Sequence, residues 1–78
     1  MEEMKEQPIK VYVKISSNNK IIEVASSIFL NDTTGWVEID SGFGDRFAHA
    51  QSQYFGKPLM NEDGTFNYML EDGVVKGV

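Results

Sequence analysis

From residue 9 the chain alternates strictly: in IKVYVKI, Ile9, Val11, Val13 and Ile15 take one side, and Lys10, Tyr12 and Lys14 take the other. A period of two, with β-branched residues at every second position, predicts a strand with one face on the core and a lysine face in water. The SSNN that follows, residues 16–19, offers side chains that bond their own backbone or tolerate left-handed φ. KIIEVA is a second short β-rich run, so the pair predicts a hairpin turning at Asn18-Asn19, with Ile22 and Val24 facing the core. Ile28-Phe29-Leu30 is too short to show a period. It fits a third strand or a loop that drops apolar side chains into the core, and the loop is the preferred reading. NDTTG is turn chemistry, and WVEID beyond it reads as a strand with Val37 and Ile39 on one face and Trp36, Glu38 and Asp40 on the other.

The period then changes. In SGFGDRFAHAQSQYFGKP, residues 41–58, Phe47, Ala50, Gln51 and Tyr54 fall at i, i+3, i+4 and i+7, which is one face of a helix. Asp45 stands where a side chain can accept from the free amides of a first turn, and Gly56 and Pro58 supply a stop, so a helix is predicted over 46–55. About ten residues are marginal alone, so its stripe must rest on a sheet. Two Asp-Gly pairs, Asp63-Gly64 and Asp72-Gly73, flank a run in which Phe66, Tyr68 and Leu70 alternate with Asn67, Met69 and Glu71. That is a strand between two hairpin turns, with Leu59-Met60 and Val74-Val75 as its partners.

The fold class that follows is α+β: a small antiparallel sheet of four or five short strands arranged in hairpins, with one packed helix. Residues 1–7 read as an N-terminal tail because they are charged and unperiodic, and residues 8–78 as one domain. The expected core is Ile9, Val11, Val13, Ile15, Ile22, Val24, Val37, Ile39, Phe47, Tyr54, Phe66, Tyr68 and Leu70. A chain of 78 residues buries only about 60 to 65 per cent of its unfolded surface, so stability will be modest.

Charge and composition narrow the function. Seven basic against twelve acidic residues give a net charge of −5, so no basic face stands ready to neutralise phosphates, and no nucleic-acid partner is expected. With no cysteine there is no disulfide framework and no thiolate metal site, which fits a cytoplasmic or virion-associated protein better than a small secreted one. Nothing approaches the run of about 20 apolar residues that spans a bilayer, so no membrane association is expected. SGFGDR holds a Gly-x-Gly before a helix start, but it lacks the third glycine and the lysine of a phosphate loop and puts an aspartate where the anion would sit. His49, the single histidine, has no nucleophile or orienting carboxylate that the sequence sets beside it, and on a helix it lies off the Phe47/Tyr54 stripe. NEDGTF resembles the middle of a calcium loop, yet counting from Asn61 puts Thr65, Met69 and Asp72 at positions 5, 9 and 12, where oxygen ligands and a bidentate glutamate belong. No catalytic residue, cofactor or metal is therefore expected, and the chain reads as no enzyme.

Packing leaves over Tyr12 and Trp36 on polar strand faces, Phe43 between two glycines, and His49. These four are the candidate interaction surface, since aromatic groups are enriched at protein interfaces. The alternative for the two strand aromatics is a second small cluster covering the other face of the sheet.

The ordered string Gly-Trp-Val-Glu-Ile-Asp, Gly-x-Gly-Asp, His-Ala-Gln, Tyr-Phe-x-Lys-Pro-Leu and Asp-Gly-x-x-Asn-Tyr-x-Leu-x-Asp-Gly resembles small bacteriophage and prophage proteins of Gram-positive hosts. Similar stretches occur near the ends of tail or baseplate components, and the likeness runs over roughly residues 9–76. The resemblance implies a structural or accessory protein of the tail region, non-enzymatic, working by contact with other phage or host proteins. A homo-oligomer formed by strand addition at sheet edges is compatible with it. It transfers no catalytic residue. The rival expectation is a small acidic effector that binds and inhibits a host protein.

Overall fold

The computed structural model describes residues 7–78. Of the expected tail, residues 1–6 lie outside the described residues, and Gln7 is exposed and irregular. Strand β1 (Ile9–Ile15) is the centre of a three-stranded antiparallel sheet, flanked by β2 (Ile21–Ser26) and β3 (Val37–Gly42). A second antiparallel pair, β4 (Tyr68–Glu71) and β5 (Val74–Gly77), forms the C-terminal hairpin. Helices α1 (Asp45–Ala48) and α2 (Ala50–Gln53) lie between the two sheets in sequence, and a 3₁₀ turn, Ser27–Phe29, follows β2. The fold is broadly α+β and rich in strand, but its five strands form two antiparallel sheets where one was predicted, and its helical part is two single turns where one helix was predicted.

The break falls at His49, whose φ of −118° and ψ of 51° leave the helical region. Asp45, Phe47, His49, Ser52, Tyr54 and Phe55 are all indifferent helix formers, so tertiary packing decides the path. Ala50 is buried and Gln51 exposed, where an unbroken helix predicted both on the packed stripe. Asp45 is not the cap either: Gly44 holds that position without a side-chain hydrogen bond, and Asp45 is the first helical residue. There its charge favours the helix through the dipole alone.

Two bulges correct the reading of the strands. Lys14 pairs with Glu23 and Ile15 with Ile21, so Ile22 is an extra residue on β2. One inserted residue shifts the inward set, and the core residue is Ile21, fully buried, while Ile22 is 39% exposed. On β3, Val11 pairs with Asp40 and Tyr12 with Glu38, which makes Ile39 the extra residue. Val37 and Ile39 keep their contact with the core. Asp40, expected on the polar face beside Trp36 and Glu38, is instead half-buried opposite Val11.

Turns obey their residues. In the β1–β2 hairpin the turn centres on Ser17-Asn18, one residue before the predicted Asn18-Asn19: the Asn19 N–H donates to the Ser16 carbonyl at 2.9 Å, and Asn19 takes φ 64°, a left-handed residue closing the turn. Asp72 (φ 53°) and Gly73 (φ 80°) make the two-residue turn between Glu71 and Val74. At the other Asp-Gly pair the Gly64 N–H donates to the Asn61 carbonyl at 3.0 Å. Here the pairing is a single bridge, Met60 with Phe66, flanked by the Asn61 N–H donating to the Thr65 carbonyl and the Asn67 N–H to the Leu59 carbonyl. The Asn67 side-chain amide adds bonds to the Pro58 carbonyl and to Asn61 Oδ1. The run from Phe66 therefore becomes a strand only at Tyr68.

The buried cluster is Val11, Val13, Ile21, Val24, Ala50 and Leu70, with Ile15, Val37, Ile39, Phe47, Tyr54, Phe55, Leu59, Tyr68 and Val75 packed against it. Ile9 and Phe66, expected in the core, are half-buried outside this cluster. The C-terminal hairpin joins the main sheet where Lys20 bridges to Met69 and the Leu70 N–H donates to the Asn19 carbonyl at 2.8 Å. Leu70 is thereby seated in the core.

Candidate interaction surface

Antiparallel pairing brings one end of β1 together with the far ends of both neighbours. Ile9 pairs with Gly42 of β3, and on the other side the Lys10 N–H donates to Ser27 Oγ at 3.0 Å in the 3₁₀ turn. Phe43 follows β3 directly, and Ile28 and Phe29 belong to that turn. Three apolar residues thus share one end of the sheet, Ile28 and Phe29 at the β2 end and Phe43 at the β3 end, two strand spacings or about 10 Å away. Their exposures are 56% for Ile28, 58% for Phe29 and 57% for Phe43. An open groove at the same end is lined by Gln7, Ile9, Phe43, Gly44, Asp45 and Ala48.

The local backbone accounts for this exposure. Ser26 caps the 3₁₀ turn by accepting the Ile28 N–H at 3.3 Å, and Ser26 is itself fully buried. Within the turn so anchored, Ser27 is half-buried while the two residues after it, Ile28 and Phe29, are exposed. Neither expected form of Ile28-Phe29-Leu30 is therefore found: the segment is not a strand, and Ile28 and Phe29 do not drop into the core. On the β3 side, Gly44 has φ 106° and ψ 176°, a region open in practice to glycine alone. It turns the chain from strand to helix and leaves Phe43 at the corner. Gly42 is needed for contact: a Cβ there would stand 2.7 Å from the Phe47 ring.

Tyr12 and Trp36 lie elsewhere, on the outer face of the sheet. Tyr12 is flanked across the strands by Ala25 and Glu38, and Lys14 by Glu23, with the Lys14 ammonium 4.9 Å from the Trp36 ring centre. Lys10 and Glu38 pair at 3.6 Å. Both aromatics are half-buried by these neighbours, and Ala25 beneath them is buried. This is a self-satisfied face of cross-strand pairs. His49 is exposed at the helix break, between α1 and α2. Phe43 alone belongs to the apolar end. Ile28 and Phe29 escaped the sequence reading, because three apolar residues without a period carry no sign of which way they point.

The inward Asp40 is held from both sides. Tyr54 Oη donates to its Oδ2 at 2.7 Å, and the Ser41 N–H donates to Oδ1 at 2.8 Å. Burial, then this hydrogen bond and the charge of Asp40, push the Tyr54 phenol up to about 12 from its usual 10.0. The Arg46 guanidinium lies 4.3 Å from the Tyr54 ring centre and works weakly the other way. Tyr54 continues through Phe55 (5.1 Å, edge to face) to Tyr68 (4.4 Å from Phe55), an aromatic ladder that ties the helical turns to the C-terminal hairpin. A phenol raised in the fold stabilises it fully below pH 10, and the contribution is lost as pH climbs from about 10 through about 12. Wild type is expected to lose stability over that window, and Tyr54→Phe to lose less of it, as read by denaturation midpoints across an alkaline pH series.

With its hydroxyl committed to Asp40, Tyr54 is a structural link and offers no free acid or base. Among the described residues no three His, Cys, Asp or Glu side chains gather to hold a metal ion, and no helix is long and apolar enough to cross a membrane. Comparison with family models, curated proteins and solved structures returned no match.

Proposed function

We propose that the protein is a non-enzymatic interaction module that docks onto another protein through the apolar end of its main sheet. The observation that carries this reading is the exposure of Ile28, Phe29 and Phe43 by more than half each, at one end of the same sheet. Large apolar side chains grouped on a surface mark contact sites, whereas single ones need no explanation. The resemblance of the sequence to Gram-positive phage and prophage proteins supplies the setting: a structural or accessory component of the tail region, virion-associated or in the host cytoplasm. The partner is then a phage or host protein.

Strand addition between copies is a weaker route than docking at the sheet end. Both flanking strands of the sheet carry a bulge, and β3 carries an inward carboxylate, devices that spoil a flat pairing edge. Mass spectrometry of purified phage particles tests the setting. The chain is expected among the particle proteins; its absence there, with abundance in the infected cell, would instead fit an acidic effector acting on a host protein.

A further inference from the structure

The sequence Glu-Asp-Gly occurs twice, at Glu62-Asp63-Gly64 and Glu71-Asp72-Gly73, and the fold treats the two copies differently. An Asp-Gly pair can rearrange without any enzyme. The glycine nitrogen attacks Cγ of the preceding aspartic acid, a new N–Cγ bond forms and the Cγ–OH bond breaks. One water molecule leaves, carrying the carboxyl oxygen with the amide and carboxyl protons. The resulting succinimide adds water, and opening at its α-carbonyl leaves the main chain running through the β-carboxyl, an isoaspartate. Glycine favours the attack because no side chain hinders its nitrogen.

At the first copy both reacting groups are tied. The nucleophile, Gly64 N–H, donates to the Asn61 carbonyl at 3.0 Å. The electrophile, Asp63, accepts through Oδ1 from the Thr65 N–H at 3.0 Å and from Thr65 Oγ1 at 2.6 Å. Those same bonds hold its carboxyl below the usual carboxylate range, which depletes the protonated form that loses water. At the second copy neither group is tied. Gly73 N–H makes no backbone hydrogen bond and Asp72 no side-chain hydrogen bond among the described residues, and both residues are outside the β4–β5 ladder in an exposed turn.

We propose that Asp72 is the site of spontaneous isoaspartate formation in this chain, and that Asp63, in the same tripeptide, is protected by its turn. The change matters to the fold because an isoaspartate adds a methylene to the main chain of a turn that has only two residues. That turn closes the hairpin whose Leu70 is seated in the core.

The test is to age the folded chain at neutral pH and locate isoaspartate by peptide mapping with mass spectrometry. Isoaspartate is expected to accumulate at least about fivefold faster at residue 72 than at 63, the factor that one ordinary hydrogen bond confers. In denaturant, where both copies are plain Glu-Asp-Gly, the two rates are expected to converge. Thr65→Val is expected to raise the rate at Asp63 in the folded chain, and Gly73→Ala to suppress the reaction at Asp72. Equal rates in the folded protein, a faster rate at Asp63, or a ratio that persists in denaturant would each overturn the proposal.

Discussion

Ile21→Ala is expected to cost about 2–5 kcal/mol, the range for truncating a fully buried isoleucine, while Ile22→Ala is expected to change stability by no more than about 0.5 kcal/mol. The two residues are adjacent and identical, and only the bulge on β2 separates them. Ile21 is fully buried inside the cluster that contains Val11, Val13 and Leu70, and Ile22 is 39% exposed outside it. A domain of this length has a total stability of about 4–12 kcal/mol, so the first change removes a large share of it and the second almost none. The checking measurement is urea denaturation of both variants, followed by their midpoints. Simple alternation through β2 would invert the result, making Ile22 the costly position, and that outcome would remove the bulge from the account.

Gly42→Ala and Gly44→Ala are each expected to destabilise by about 1–3 kcal/mol, for reasons that a second substitution separates. At Gly42 the problem is space, since a methyl group would stand 2.7 Å from the Phe47 ring, which packs on the core beside Tyr54. Shortening that ring with Phe47→Leu should recover part of the loss in the double variant. At Gly44 nothing lies within 4 Å, and the cost is the φ of 106° itself. Phe47→Leu should therefore add to Gly44→Ala without compensating it. A double-mutant cycle by chemical denaturation reads both cases, and equal coupling at the two glycines would contradict the distinction.

These two results bear on what a sequence can disclose. β1 was legible because its alternation is unbroken over seven residues and it lies between two partners, which fixes the face. The Asp72-Gly73 turn was legible because its residues are those that accept left-handed backbone. The bulges were not legible: Ile22 stands beside an identical neighbour, and Ile39 keeps the regular alternation between Glu38 and Asp40, so neither extra residue disturbs the pattern until the partner strand is known. The helix was partly legible: helical turns do fall in the expected stretch, but they run over Asp45–Ala48 and Ala50–Gln53 where one helix over 46–55 was predicted, because the spacing of Phe47, Ala50 and Tyr54 survives a break at His49 that only the packing reveals. Asp45 was assigned a capping task by its type and place, although Gly44 holds that position.

The candidate surface divides in the same way. Periodicity placed Tyr12 with Lys10 and Lys14 and Trp36 with Glu38 and Asp40, on polar strand faces, yet neighbours across the strands already half-cover both. Phe43 stood out because two glycines isolate it. Ile28 and Phe29 carry no such mark in the sequence, since their exposure belongs to the 3₁₀ turn that the buried Ser26 caps.

The central claim, that this apolar end is the docking surface, is tested most directly by the variant carrying Phe29→Ser and Phe43→Ser. Both side chains are more than half exposed, so the variant is expected to fold with a denaturation midpoint close to that of wild type. Quantitative mass spectrometry of purified particles should find wild type incorporated and the folded variant absent or strongly depleted. Incorporation of the folded variant at the wild-type level would contradict the account.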